Sequence, residues 1–162
     1  MHVELASPTA EDTRAIGAAF ASLLRVGDVI ALTGELGAGK TTLVQGIAGA
    51  LGYDGVVTSP TFTLVRVYRT PTLTLVHADV YRLDRVQDAV DLGLDETAED
   101  GVLLVEWGDA VDALLPGDRM VVELSIPSED EVRKIAIRSE GTAWATRWER
   151  LEQAVDSWRP AA

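Results

Sequence analysis

An apolar run, Val29-Ile30-Ala31-Leu32, leads into Gly34-Glu35-Leu36-Gly37-Ala38-Gly39-Lys40-Thr41-Thr42, and helical spacing takes over at once in Thr42-Leu43-Val44-Gln45-Gly46-Ile47-Ala48. Two glycines, Gly34 and Gly39, separated by four residues and followed by lysine and a hydroxyl residue, fit a phosphate-binding loop, and strand before with helix after is the context that pattern requires. The glycines let backbone amides turn inward at a helix N-terminus, where unpaired N–H groups and the helix dipole favour an anion. This arrangement assigns Lys40 to the β- and γ-phosphates of a nucleotide and the Thr41 hydroxyl to Mg²⁺. The loop residues Glu35, Leu36, Gly37, Ala38, Gly39 and Thr42 surround the phosphates.

The rest of the chain is read around that unit. Val3-Glu4-Leu5 suggests an opening strand, and Ser7-Pro8 an N-cap with proline at the first helical position; Ile16, Phe20, Leu23 and Leu24 then keep helical spacing to about Arg25. The helix after the loop runs to Leu51, with Gly52 as its stop. Phe62 to Tyr68 and Leu73 to Val76 form a hairpin about a Thr70-Pro71 turn, and an acidic helical stretch runs from Gln87 to Glu99. Val102-Leu103-Leu104-Val105 has the continuous apolar character of a central strand covered on both faces. Met120 to Ile126 and Val132 to Ile137 form an antiparallel pair. Trp144, Trp148, Leu151 and Val155 share one stripe of a last helix, which either caps the core or docks a partner. The expectation is a single domain over residues 1–162. Its class is an α/β, P-loop NTPase-like three-layer fold, with a mixed, mainly parallel sheet closed by an antiparallel meander.

Composition narrows the chemistry. With 162 residues, 47% of them hydrophobic, the chain can bury a full core without staples. Cysteine is absent and there are two histidines, His2 and His77, so thiol catalysis, disulfides and histidine zinc sites are excluded. No apolar run approaches a bilayer span and no signal-like N-terminus is present, so a soluble, cytoplasmic protein is expected. A formal charge of −12 repels a phosphate backbone, which argues against autonomous nucleic-acid binding. Arg66, Arg69, Arg82 and Arg85 are the nearest approach to a basic cluster, and are read as surface ion pairs or partner contacts.

Hydrolysis needs a carboxylate at the end of a neighbouring strand. Asp79 follows the run Leu73 to Val76, and Glu106 ends Val102 to Val105. Both belong at the carboxyl edge where α/β sheets bind ligands, one serving the metal directly and the other the water. Thr61, in Thr58-Ser59-Pro60-Thr61-Phe62, sits where a switch loop meets the γ-phosphate. His77 is either a proton carrier or a hydrogen-bonded structural residue.

Together, the phosphate loop, Ser59-Pro60-Thr61-Phe62, His77-Ala78-Asp79-Val80-Tyr81-Arg82-Leu83 and Glu106-Trp107 resemble the TsaE family, also called YjeE, over nearly the whole chain. The resemblance implies a weak ATPase that acts with TsaD and TsaB in forming threonylcarbamoyladenosine beside the tRNA anticodon, hydrolysis resetting the complex between rounds. It implies ATP and Mg²⁺ as cofactors, with tRNA met only through the partners. Carried over by position, Lys40 and the loop amides hold phosphates, Thr41 and Glu106 hold Mg²⁺, and Asp79 is the strand-end acid. The start of the first helix, from Thr9 to Thr13, and Arg133 border the nucleotide. Glu35, Ala78 and Gly108 depart from the family's usual aspartate, aromatic, and proline or serine.

Rival readings are a nucleotide-dependent docking module and a small-molecule P-loop kinase. A GTPase lacks support, because the chain contains no asparagine for a guanine-reading motif. A kinase lid would need several arginines, and Arg82 and Arg85 are too few.

Overall fold

The computed structural model describes residues 1–35, 37–60, 65–80, 93, 99–106, 115–126 and 132–161. Seven strands form one sheet: β1 (His2–Ser7), β2 (Val29–Thr33), β3 (Val65–Arg69), β4 (Thr74–Asp79), β5 (Val102–Glu106), β6 (Arg119–Ser125) and β7 (Arg133–Glu140). Their spatial order is β1-β7-β6-β2-β5-β4-β3. The four central strands, β6, β2, β5 and β4, are mutually parallel, while β1, β7 and β3 join antiparallel. The sheet is therefore mixed as expected, but parallel only at its centre rather than mainly parallel. The difference arises because the opening strand pairs with β7 and so adds a second antiparallel ladder to the meander, while β3 adds another at the far edge.

The strands read as their burial demands. All five residues of β5 are buried, which explains the unbroken apolar run, because neither face meets water. β7 alternates along its middle, with Ile135 and Ile137 buried and Lys134 and Arg138 exposed, as a strand with one wet face should. Hairpin β3–β4 turns at Thr70, whose Oγ1 accepts from the Leu73 and Thr72 amides and donates to the Leu73 carbonyl.

Helices α1 (Ala10–Ala21), α2 (Lys40–Ala50) and α3 (Trp148–Val155) contribute to one large core against one face of the sheet. A smaller cluster of Val29, Val76, Ala78, Val80, Leu103 and Val105 is buried on the opposite face. Burial of both faces is what a three-layer arrangement requires, although the helices among the described residues stand on one side only. The expected helix around residues 87–99 and the turn at 127–130 lie outside the described residues.

Two helix boundaries differ from the sequence reading. The N-cap of α1 is Thr9, not Ser7: Thr9 Oγ1 accepts from the Asp12 amide at 3.1 Å, and the acids Glu11 and Asp12 complement the dipole in the first turn. Ser7 instead completes β1, and Pro8 lies outside the helix. The last helix begins at Trp148, so Trp144 belongs to the preceding turn, yet all four stripe residues are buried as core. α1 and α2 pack closely through small residues, since a Cβ at Gly46 would run into the Arg14 carbonyl and one at Gly17 into the Leu43 carbonyl. That packing sets the first turns of both helices at the same edge of the sheet as the glycine-rich loop.

Candidate nucleotide site

β2 lies between β5 and β6, and its carboxyl end runs directly into the glycine-rich loop. Gly34, Gly37 and Gly39 have φ of 139°, 83° and 112°, a region that side chains resist. Gly34 is fixed by a second constraint, because a Cβ there would strike the Leu124 carbonyl of β6. Gly39 is the N-cap of α2, and having no side chain it makes no side-chain cap bond to the first turn. Lys40 is buried, and its ammonium arches back along the loop to donate to Gly34 O at 2.6 Å and Glu35 O at 3.0 Å. This places a cation inside the turn formed by the loop. Ala38 is fully buried, Glu35 and Gly37 are exposed, and Gly39, Thr41 and Thr42 are half-buried. Leu36 lies outside the described residues.

The acids arrive from neighbouring strands. Asp79 ends β4 and Glu106 ends β5, directly opposite each other in the parallel register. Alternation puts both on the face shared with Leu75 and Leu104, the face covered by α1 and α2. Both are buried, and Glu106 Oε1 accepts from Thr41 Oγ1 at 3.5 Å. Strand β5 and helix α2 thus bring together two oxygens that stand 65 residues apart in the chain. Thr61 lies outside the described residues.

His77 is fully buried rather than exposed to the loop. Its Nε2 lies 2.6 Å from Glu106 Oε2 and its Nδ1 lies 3.1 Å from the Tyr68 hydroxyl. Of the two roles open to it, the hydrogen-bonded structural one is what the geometry displays. Tyr68 was not singled out in the sequence, where it is one more residue of an alternating stretch; only strand pairing brings its hydroxyl to the ring.

Beside the loop is a cleft of about 320 Å³, lined by Pro8, Thr9, Ala10, Thr13, Gly37, Ala38, Gly39, Thr42 and Arg133. Its lining includes the start of α1 and Arg133, the two places that the resemblance sets beside the nucleotide. Thr13 Oγ1 is held 2.7 Å from the buried Ser7 Oγ. Arg133 enters from the start of β7 and donates to Gly37 O at 3.5 Å. Among the described residues no group of three or more His, Cys, Asp or Glu gathers as a self-contained metal site. A cation here would need ligands from Thr41, one or two carboxylates and a bound anion, which is the way Mg²⁺ accompanies polyphosphates. Two oxygens that each lie about 2.1 Å from one ion can stand at most about 4.2 Å apart. Neighbouring ligands of an octahedral ion at that distance stand about 3.0 Å apart, so Thr41 Oγ1 and Glu106 Oε1, at 3.5 Å, would draw together slightly to share a small hard cation.

The family described as threonylcarbamoyl adenosine biosynthesis protein TsaE matches residues 7–135, a span that holds the loop, both strand-end acids and Arg133. The chain belongs to the TsaE family. A Streptomyces coelicolor relative named tRNA threonylcarbamoyladenosine biosynthesis protein TsaE is 44% identical over 82% of this chain and 94% of its own length. The Bacillus subtilis protein of the same name is 40% identical, over 88% of this chain and 89% of its own. In three dimensions the chain is similar to the crystal structure of Bacillus subtilis YdiB, with a TM-score of 0.82 and 34% identity across 94% of this chain and 95% of that one. The TsaE match ends within β7, so α3 and the turn after it, Asp156–Trp158, lie beyond it. No helix among the described residues is long and apolar enough to cross a membrane.

Proposed function

We propose that this TsaE family member is a cytoplasmic P-loop ATPase, one domain over residues 1–162, that serves formation of threonylcarbamoyladenosine in tRNA. It binds Mg-ATP and hydrolyses it slowly, with TsaD and TsaB as partners whose complex is reset between rounds. The observation that carries the reading is the meeting of three groups at one sheet edge. These are the Lys40 ammonium within the loop, the N-terminus of α2, and Glu106 Oε1 at 3.5 Å from Thr41 Oγ1.

Mg-ATP bound here supplies an electrophilic γ-phosphoryl group. Lys40 and the α2 amides hold the phosphate oxygens and offset their charge; Thr41 Oγ1 and Glu106 Oε1 are the protein's ligands for Mg²⁺. Asp79, opposite Glu106 on the next strand, is left to orient water or the cation's water shell. The cleft beside the loop falls in the size range of about 300–1,000 Å³ typical of ligand pockets and would take the nucleoside, with Thr13 and Arg133 at its wall. The net charge of −12 suits a protein that leaves tRNA contact to its partners.

Reconstitution tests this. With TsaD, TsaB, the threonylcarbamoyl donor and tRNA, multiple turnovers of modification should require both this chain and ATP. Glu106→Ala or Asp79→Ala should cut steady-state modification at least about 100-fold, the usual loss when a group stabilising a phosphoryl transition state is removed. Modification that continues unaffected in those variants would make ATP a structural ligand of a docking module instead.

A further inference from the structure

Tyr68, His77 and Glu106 run diagonally across three adjacent strands on the sheet face covered by α1 and α2. The register sets the diagonal: Tyr68 stands opposite Leu75, two residues before His77, and Glu106 stands opposite Asp79, two residues after it. All three are buried, with Tyr68 2%, His77 0% and Glu106 3% exposed. Each distance is within hydrogen-bonding range: Glu106 Oε2 to His77 Nε2 at 2.6 Å, His77 Nδ1 to the Tyr68 hydroxyl at 3.1 Å, and that hydroxyl to Thr58 O at 3.3 Å.

Counting protons orders the chain of bonds. A carboxylate oxygen accepts, so the His77 ring carries a hydrogen on Nε2 and donates it to Glu106. On its other side the ring meets the Tyr68 hydroxyl through Nδ1, and that hydroxyl also donates to the Thr58 carbonyl. The bond at 2.6 Å is short, as expected when one partner is charged. A glutamate side chain has three rotatable torsions, and fixing Oε2 leaves Oε1 turned toward Thr41.

We propose that His77 and Tyr68 are positioning residues for Glu106. His77 holds one carboxylate oxygen so that the other faces the cation site, and the Tyr68 hydroxyl fixes the orientation of the ring. Through Thr58 the same hydroxyl touches the backbone just before Ser59-Pro60. The inference rests on the reading that Glu106 serves Mg²⁺. Outer partners of this kind typically change metal affinity about 10–100-fold when removed.

Three variants of the full chain test it. Tyr68→Phe keeps the ring packed on Tyr53 and removes only the hydroxyl. His77→Gln keeps a donor for Glu106, and His77→Leu keeps none. Calorimetric titration with ADP, with and without Mg²⁺, should show unchanged affinity without the cation. The Mg²⁺-dependent gain should fall about 10-fold in His77→Leu, by less in Tyr68→Phe, and recover substantially in His77→Gln. Circular dichroism checks that each variant folds; if His77→Leu does not, Tyr68→Phe and His77→Gln carry the comparison.

Nitrogen NMR of the protein without nucleotide or metal gives an independent reading, since only His2 and His77 contribute imidazole signals. The His77 ring should carry a hydrogen on Nε2, and Tyr68→Phe should shift the Nδ1 resonance. A wild-type ring with no hydrogen on Nε2, or folded Tyr68→Phe and His77→Leu proteins with wild-type Mg²⁺ dependence, overturns the positioning role. A wild-type protein that binds no ADP overturns the ATPase reading instead, and the imidazole spectrum still decides whether the hydrogen-bonded chain exists.

Discussion

Burial pushes the Tyr68 phenol up to about 12 from its ordinary 10, because the phenolate would lose its water inside the core. The native fold therefore favours the protonated form. That contribution to stability is complete below pH 10 and is lost as the pH rises through about 12. Denaturation midpoints measured across this window should fall for the wild type by an amount on the order of 1 kcal/mol, and the falling component should be missing in Tyr68→Phe. Lys40, Thr41, Asp79 and Glu106 are legible in the chain because loop spacing and strand ends mark them. Tyr68 is not, since its partners lie on two other strands and no local pattern names them.

Within α2, two glycines illustrate how packing overrides propensity. Alanine is favoured over glycine in a helix by about 1 kcal/mol. Gly49 is exposed and nothing lies within 4 Å of an added Cβ, so Gly49→Ala should stabilise the protein by about 0.5–1 kcal/mol. Gly46 faces the Arg14 carbonyl of α1, so Gly46→Ala should instead destabilise it by about 1–3 kcal/mol as the helices are forced apart. Urea titrations of the two variants should give opposite signs; matching signs would mean that the α1–α2 contact yields freely. At this scale the sequence marks the helix and its end but not which glycine touches a neighbour. The α1 cap was misplaced for a similar reason. Ser7 and Thr9 are both good caps, and only the pairing of β1 with β7 through Ser7 decides between them.

Across the whole molecule, Arg147 fastens the C-terminal segment to the strand that feeds the loop. Its guanidinium meets Asp28 through two bonds of 2.7 and 2.9 Å, donates to Leu23 O and Ala143 O, and lies 3.9 Å over the Trp144 ring. Asp28 also accepts from the Arg25 amide. Arg147→Ala would leave a buried carboxylate without its counter-charge and should cost about 3–5 kcal/mol in chemical denaturation. Pairing it with Asp28→Asn should recover part of the loss, because the two side chains act as one unit. A second tie joins the end of the chain to the mouth of the cleft, where Trp158 Nε1 donates to Asp12 at 3.1 Å beside the Thr9 cap.

What the sequence determined by itself was the glycine-rich loop, the strands and helices that bracket it, and the acids at two strand ends, because these depend on periodicity and on residues close together in the chain. Strand order was left to the tertiary structure: the placing of β1 beside β7, the approach of Glu106 to Thr41, and the line from Glu106 through His77 to Tyr68. Each of these joins residues distant in sequence, and a ladder's register is chosen by which side chains can be buried together, a property of the folded sheet and not of any one segment.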